Sequence, residues 1–254
     1  MDFFKNGYHV LRGEVKGTIT DAWFDIKGIE EEVLKHFEEV KKTKPRLTNG
    51  ELFMVPEKKV TLEQNGDVNL PIQKTNYALY LYLGANPNTD KRYKVRSVPT
   101  VSVLSTSNDY FVFGKMASYT VLEDRILAPG GPPSSQEIDK QKGKVDFDAC
   151  MRRELQEETG LTCEQLVSLE PRILHAGNER PAIAIIYYGK LMLDDKQIKE
   201  FFENHNRKLI EKGEKPELSD VEIVHNNPEA LARLYHDPKK HVIDYLHGAI
   251  PLLG

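Results

Sequence analysis

The sequence has few cysteines and no long apolar run, and each absence excludes a class of protein. Its 254 residues include two cysteines, Cys150 and Cys163, which are too few for a disulfide framework or for a zinc site built from two cysteine pairs. No apolar run reaches the roughly 20 residues that a transmembrane helix needs. The first residues lack a basic segment followed by an apolar core, so we expect no secretory signal.

An excess of positive charge is also missing. Lys and Arg number 35 against 39 Asp and Glu, which gives a formal net charge of −4, and the chain has no basic tract of the kind that nucleic-acid binders carry. With 39% hydrophobic and 29% charged residues, the composition is that of an ordinary globular protein. We therefore expect a soluble, cytoplasmic protein with a small-molecule substrate and no nucleic-acid or membrane partner. The sequence leaves monomer and homodimer open.

The chain is predicted to contain an N-terminal accessory region, residues 1–96, and a second region, residues 97–254. The boundary follows the polar stretch ANPNTD at 85–90, which is rich in structure breakers. In the first region, apolar residues at helical spacing predict a helix over 29–42. The run YALYLYLG at 77–84 is interpreted as a core strand or a core helix, and a strip of rings that stack on a ligand is the alternative.

The second region mixes strands and helices, so the predicted fold class is α/β or α+β. Two runs of β-branched and aromatic residues, at 98–104 and 110–115, flank a short polar turn and predict a β-hairpin. Further strands are predicted at 126–128, 169–174, 182–189 and 221–224, and helices at 146–159, 195–212, 228–235 and 241–246.

Three glutamates lie on one turn of the helix that Asp146 is predicted to cap and Gly160 to end. Glu154, Glu157 and Glu158 stand at positions i, i+3 and i+4, so they project from one face. Like charges this close repel each other, and a hard divalent cation such as Mg²⁺, which prefers oxygen ligands, would relieve the repulsion. The alternative interpretation is a solvated, charged helix face.

The string around these glutamates resembles the motif of the Nudix hydrolases, G-x5-E-x7-R-E-U-x-E-E-x-G-U, where U is a bulky aliphatic residue. Pro129, Gly130 and Gly131 supply the Pro-Gly-Gly that typically leads into this motif. The resemblance covers about residues 97–254. It implies a Nudix fold, an αβα sandwich with a mixed sheet, here with an N-terminal α/β extension. The second half of the motif matches in full, at Arg153, Glu154, Leu155, Glu157, Glu158, Gly160 and Leu161.

The first half of the motif departs from the pattern. The consensus glutamate falls on Val145 and the consensus glycine on Asp139, because the loop after Gly131 is longer than in the consensus. The insert at 132–144 is polar, and we expect it to be an exposed loop. Glu137 within the insert either substitutes for the missing carboxylate or is ordinary loop surface.

The resemblance implies a role for each matching residue. Glu154, Glu157 and Glu158 bind Mg²⁺, with Mn²⁺ as the alternative ion, and the carbonyl of Gly130 is a further ligand. Arg153 pairs with one of these carboxylates and orients it. The implied reaction is the attack of metal-activated water on a diphosphate, which places Glu157 and Glu158 among the catalytic residues.

A general base is still needed, and in this family it often comes from a loop outside the motif. The acidic stretch EKPELSDVE at 214–222 leads into a predicted strand. Glu217 is the first candidate for the base, Asp220 the second and Glu179 the third. The alternative for each is an ordinary solvated loop residue.

The layout of the chain resembles the Nudix branch that cleaves UDP-glucose and UDP-galactose. The long N-terminal region, the polar insert after Pro-Gly-Gly and the run GNERPA at 177–182 carry this resemblance. It implies hydrolysis of a UDP-sugar to UMP and sugar 1-phosphate. ADP-ribose, dinucleotide polyphosphates and coenzyme A are alternative substrates, and a Nudix module that binds a nucleotide without hydrolysing it is the alternative function.

Overall fold

The structure, a computed structural model, describes Phe4 and residues 7–90, 93–177 and 181–253, except for the side chain of residue 21. The chain divides into two compact units, each of which is discontinuous in sequence. Unit 1 comprises residues 1–100, 132–150 and 174–185, and unit 2 comprises residues 101–131, 151–173 and 186–254. The domain division after residue 96 stays a prediction.

The helices largely follow the sequence prediction. The 77–84 run is a helix, and Asn76 caps it by accepting the Leu79 N–H at 3.0 Å. The helix predicted over 241–246 is wrong in its first residues, because a short strand precedes a helix that begins at Asp244. None of the described helices combines the length and apolar character that a bilayer crossing requires. The helices are α1 (Glu30–Thr43), α2 (Tyr77–Ala85), α3 (Phe147–Thr159), α4 (Asp195–Glu211), α5 (Pro228–His236) and α6 (Asp244–Ala249).

The strands are more numerous than the sequence predicts. Those predicted at 169–174, 182–189 and 221–224 are each longer in the structure. In chain order the strands are β1 (Tyr8–Val10), β2 (Val15–Trp23), β3 (Glu51–Pro56), β4 (Thr61–Leu62), β5 (Val68–Asn76), β6 (Val95–Ser97), β7 (Thr100–Ser105), β8 (Tyr110–Met116), β9 (Arg125–Leu127), β10 (Gly130–Gly131), β11 (Ile138–Asp139), β12 (Lys144–Val145), β13 (Leu166–Ala176), β14 (Ile183–Leu191), β15 (Leu218–His225) and β16 (His241–Val242).

The sheet of unit 1 has the order β11-β12-β2-β5-β3-β6, with β4 paired to β5. It is mixed, because β2 runs parallel to β5 whereas β3 runs antiparallel to it. The prediction that residues 132–144 form a loop is wrong, although several of these residues, among them Lys140 and Lys142, are exposed as predicted. This insert contains a 3-10 turn at Ser135–Glu137 and leads into the β11–β12 hairpin, which pairs with β2. Its backbone hydrogen-bonding groups therefore extend a sheet rather than face water.

Unit 2 contains the strand order β13-β14-β7-β8-β9-β16, with β10 paired to β7 and β15 to β8. The predicted hairpin is confirmed as β7–β8, with Leu104 opposite Val112. Because β16 runs parallel to β9 while β8 and β9 are antiparallel, this sheet is also mixed. The predicted α/β class with mixed sheet is thus confirmed. Fully buried side chains from the sheet and from α3 and α4 form the core of unit 2, among them Leu104, Phe113, Leu155 and Phe202.

Candidate active site

Helix α3 carries the three predicted glutamates and has a defined start and end. Asp146 caps it by accepting the Ala149 N–H at 2.9 Å. The helix stops at Gly160, which has a φ of +77° and donates its N–H to the Gln156 carbonyl at 2.9 Å. A Cβ at Gly160 would lie 2.7 Å from Nδ1 of His205 in α4. Both the backbone conformation and the available space therefore require glycine at this helix end.

Glu158 lies on the buried face of α3. The same face carries Met151 and Leu155, which are 0% and 1% exposed, and Glu158 continues it at 6%. The Glu158 carboxylate accepts the Gly130 N–H at 2.7 Å. Burial raises the pKa of Glu158 well above its ordinary value, and the charge on Glu217 raises it further. An ionised carboxylate at this core position therefore needs a cation beside it.

The carboxyl group of Glu154 packs against the backbone of Gly131, which has no side chain. A Cβ at Gly131 would lie 2.7 Å from the Glu154 carboxyl carbon and from both carboxyl oxygens, so glycine leaves the room that this carboxyl occupies. Burial raises the pKa of Glu154 to about 7, although the neighbouring Arg153 lowers it, and the charges on Glu157 and Glu217 add to the increase.

Arg153 bridges two of the glutamates. Its Nη1 lies 2.8 Å from Oε1 of Glu154 and 2.9 Å from Oε2 of Glu157. The sequence resemblance implied a pair with one carboxylate, and the structure shows contacts with two. The Glu157 side chain is 59% exposed, so this carboxylate faces solvent while Glu154 and Glu158 do not.

Glu217 is electrostatically coupled to the helix glutamates although it is distant from them in sequence. Its side chain remains accessible to solvent, yet the protein around it raises the pKa of Glu217, and the charge on Glu157 adds to this effect. Glu217 in turn raises the pKa values of Glu154 and Glu158. The four carboxyl groups therefore share one acidic environment.

The chain around Glu217 is anchored through its backbone. The Ala117 N–H donates to the Glu217 carbonyl at 2.9 Å, and the Tyr119 hydroxyl donates to the Pro216 carbonyl. On the other side, Nδ2 of Asn206 in α4 donates to the Leu218 carbonyl at 3.0 Å. These bonds fix the entry into β15 and with it the position of Glu217.

The segment from Ala128 to Gly130 is held by three neighbours. The Ala128 N–H donates to the Tyr245 hydroxyl at 3.0 Å. The Pro129 carbonyl accepts the Ser102 N–H at 2.8 Å and the Ser102 hydroxyl at 3.3 Å. Gly130 has a φ of +147°, a conformation that favours glycine, and its N–H is the one that holds Glu158. The backbone that precedes Gly131 is therefore fixed before any ligand binds.

The chemistry of these groups fits a hard divalent cation. Carboxylate and carbonyl oxygens are the ligands that Mg²⁺ and Mn²⁺ prefer, and the buried carboxyls have raised pKa values that a cation would bring down. As the side chains stand, no set of three or more His, Cys, Asp or Glu in the described part of the chain is already arranged around one ion position. Arg153 contacts both Glu154 and Glu157, so binding of a cation there would require these ion pairs to rearrange.

The other predicted candidates lie elsewhere or serve a local purpose. Asp220 is in β15, and its carboxylate accepts the Val221 N–H at 2.8 Å. Glu179 lies outside the described residues. Glu137, in unit 1, is 6% exposed and accepts the Ser134 N–H at 2.7 Å, which caps the 3-10 turn. The interpretation of Glu137 as loop surface is therefore wrong.

Sequence reasoning missed several residues that hold the glutamates in place. The sequence shows Gly131 only as part of Pro-Gly-Gly, whereas the structure shows that its lack of a side chain leaves room for Glu154. Tyr245 and His205 carry no local signal, because their partners are distant in sequence.

Comparison with known proteins gives distant structural similarities. No family model and no curated protein matches the sequence. The chain is similar to a Deinococcus radiodurans protein, with 13% identity and a TM-score of 0.41 over 61% of this chain and 82% of that chain. For the NUDIX domain of Shewanella oneidensis NrtR complexed with ADP ribose, the identity is 16% and the TM-score 0.42, over 70% and 97% of the two chains.

A third similarity is to a bifunctional NMN adenylyltransferase/ADP ribose pyrophosphatase from Francisella tularensis, solved with AMP and a Mn ion. The identity is 13% and the TM-score 0.41, and the match covers 62% of this chain but 41% of that longer chain. All three TM-scores lie below 0.5, so the family and the activity of this chain depend on the evidence of its own residues.

Proposed function

We propose that this chain is a divalent-metal-dependent pyrophosphohydrolase of the Nudix type. It cleaves the diphosphate of a nucleoside diphosphate that is linked to another group. Its first candidate substrates are UDP-sugars, which would give UMP and sugar 1-phosphate. Mg²⁺ is the proposed ion, with Mn²⁺ as the alternative.

One observation carries the proposal: burial raises the pKa values of three carboxyl groups, those of Glu154, Glu158 and Glu217, and the charge on Glu157 adds to each increase. Glu158 occupies a core position on α3, and Glu154 is packed against glycine backbone. Both have raised pKa values, and Glu217 contributes to each increase. A purely structural helix would place apolar residues at such positions, because isolated buried carboxylates destabilise a fold. A bound cation gives these residues a reason to be acidic.

The roles follow from the positions of the groups. Glu154, Glu157 and Glu158 would hold the ion, together with the carbonyl of Gly130. When bound, the ion would lower the pKa of a water molecule and neutralise charge on the diphosphate oxygens. Arg153 would release one carboxylate to the ion and keep the other in orientation, since it now contacts both.

Glu217 is the proposed general base. A base must be reached by water and must have a pKa close to the working pH. Part of the Glu217 side chain is accessible to solvent, while partial desolvation by the surrounding protein and the charge on Glu157 raise its pKa. Its backbone is anchored at residues 216–218. It would take the proton of the attacking water, and the neighbouring Glu157 would keep its pKa high enough for that step.

The choice of UDP-sugars depends on the layout of the chain. The supporting features are the long N-terminal region, the insert after Pro-Gly-Gly and the run at 177–182, of which residues 178–180 lie outside the described part. ADP-ribose, dinucleotide polyphosphates and coenzyme A remain the alternative substrates. A nucleotide-binding module without hydrolysis is the alternative from a different functional class.

A substrate panel tests the proposal directly. The purified chain is incubated with UDP-glucose, UDP-galactose, ADP-ribose, diadenosine tetraphosphate and coenzyme A, with Mg²⁺, with Mn²⁺ or with EDTA, and the products are identified by mass spectrometry. We expect UMP and sugar 1-phosphate with a metal ion and no product with EDTA. AMP and ribose phosphate would redirect the substrate assignment. Ligand-dependent thermal stabilisation in EDTA without any product would contradict the hydrolase and support a binding module.

A further inference from the structure

Tyr245 places a buried hydroxyl group between the two backbone polar groups of one residue. The side chain comes from α6 and is 7% exposed. The Ala128 N–H donates to its oxygen at 3.0 Å, and its hydroxyl donates to the Ala128 carbonyl at 3.3 Å. Ala128 itself is 0% exposed, so without Tyr245 both of these backbone groups would be buried without these partners.

The phenol remains a hydrogen-bond donor at every pH at which the protein would be assayed. Burial raises the pKa of Tyr245, and the charge on Glu158 raises it further, although the hydrogen bond from Ala128 opposes this effect. The residue that the phenol binds, Ala128, lies two positions before Gly130, whose N–H binds Glu158. Tyr245 is therefore linked to the glutamate site through a short stretch of backbone.

The two residues that follow Ala128, Pro129 and Gly130, are also held by hydrogen bonds. Pro129 has a fixed φ, and Ser102 holds its carbonyl. The Gly130 N–H then binds Glu158 at 2.7 Å. A rotation of the peptide at Ala128 would be passed to Gly130 through this short segment, because no flexible residue lies between them.

We propose that Tyr245 is a positioning residue for the proposed metal site: it fixes the backbone at Ala128 so that the Gly130 N–H holds Glu158 and the Gly130 carbonyl would be available to the ion. This inference rests on the proposed hydrolase function and deepens it. It predicts that the phenol contributes to metal affinity and to turnover, and not only to stability.

The test removes the hydroxyl alone, with Tyr245→Phe. A matched control is Tyr235→Phe, because the Tyr235 hydroxyl also binds a backbone carbonyl in this region, that of Leu246 in α6, at 3.1 Å. For both variants we would measure the thermal unfolding midpoint, Mn²⁺ binding by calorimetry without substrate, and kcat and KM. We expect Tyr245→Phe to weaken Mn²⁺ binding and to lower kcat by about tenfold each, the range of residues that support metal ligands, with KM nearly unchanged. Tyr235→Phe should change neither quantity more than about twofold.

A lower unfolding midpoint for Tyr245→Phe with unchanged Mn²⁺ affinity and kcat would overturn the proposal and leave the phenol a structural role. Amide exchange of the wild-type protein gives a measurement that does not depend on the variant: the Ala128 and Gly130 amides should be strongly protected, and rapid exchange of either would also overturn it. Failure of the hydrolase proposal would look different, because the wild type would then yield no product in the panel.

Discussion

At the scale of single residues, the strongest indication of a functional site is the carboxyl group of Glu158, which occupies a position of α3 where an apolar core side chain would be expected. Glu158 follows Met151 and Leu155 on the buried face of α3, a position that helical periodicity reserves for apolar residues. Its neighbour Glu157 is largely exposed, and Glu154 lies between the two in exposure. The same short motif therefore supplies one buried, one partly buried and one accessible carboxyl to the proposed metal site.

Substitution of these carboxyls by the isosteric amide separates chemistry from folding. Glu157→Gln and Glu158→Gln should each lower kcat at least a hundredfold, because each removes a charged ligand from the proposed site. Folding should be intact, and Glu158→Gln should even raise the unfolding midpoint without metal, since a neutral amide avoids the cost of a buried charge. Steady-state kinetics and thermal unfolding measure both effects. The control is Glu200→Gln, an exposed residue of α4, and near wild-type rates in either site variant would contradict the metal assignment.

Glu154 predicts how stability depends on pH and metal. Its pKa is about 7 in the folded chain against an ordinary value of 4.5, so the folded state holds this proton more tightly than the unfolded state. The resulting stability is complete below pH 4.5 and is lost as the pH rises through 7, by roughly 3 kcal/mol for a shift of this size. We expect the unfolding midpoint in EDTA to fall between pH 5 and pH 8.

Saturating Mg²⁺ should remove most of this pH dependence, because the ion stabilises the ionised carboxyl. Glu154→Gln should flatten the dependence in EDTA, leaving the part contributed by Glu158. Unfolding curves at several pH values, with EDTA and with Mg²⁺, provide the measurement. An unchanged slope in Glu154→Gln would show that Glu154 does not hold the proton.

At the scale of secondary structure, the site depends on the close approach of β10 to α3. Gly131 makes the approach possible, since a Cβ there would lie 2.7 Å from three atoms of the Glu154 carboxyl. Gly131→Ala should therefore displace Glu154 and weaken Mn²⁺ binding by about tenfold or more, the scale of a disturbed ligand. Gly50→Ala is the matched control, because a Cβ at Gly50 would meet no atom within 4 Å. Equal metal affinity in wild type and Gly131→Ala would mean that Glu154 can bind the ion from another position.

Elements with local signals could be predicted from the sequence, and elements with distant partners could not. The α3 cap at Asp146, its glycine end at Gly160 and the β7–β8 hairpin each depend on residues a few positions apart. The insert was misjudged because a polar composition suits an exposed loop equally well as an edge hairpin, and its partner strand β2 lies more than a hundred residues earlier. The three helix glutamates were found by spacing, whereas Gly131 and Tyr245 act through contacts that no short window of sequence contains.

At the scale of the whole molecule, each unit gathers segments from separate parts of the chain. The predicted boundary divides the chain at a single position, after residue 96, whereas unit 1 also includes residues 132–150 and 174–185. Composition and breaker residues mark where a chain turns, and they do not show which segments pack together. All the residues that we propose for metal binding and proton transfer belong to unit 2. A change confined to unit 1 should therefore alter stability without altering the metal requirement.

Asp67 allows that expectation to be tested in unit 1. It forms an ion pair with Lys16 and accepts the Glu14 N–H at 2.8 Å, and these contacts, Lys16 first, lower the pKa of Asp67 to about 2. Asp67→Asn should lower the unfolding midpoint at neutral pH while kcat and the Mg²⁺ concentration for half-maximal rate stay at wild-type values.

Because the pKa of Asp67 is lowered on folding, the stability that Asp67 contributes is present above pH 3.8 and is lost as the pH falls toward 2. The difference between wild type and variant should therefore shrink over that range. Asp139→Asn serves as the control, since Asp139 pairs with Lys142 at the surface, where ion pairs contribute little. A changed Mg²⁺ requirement in Asp67→Asn would show that the metal site depends on unit 1 as well.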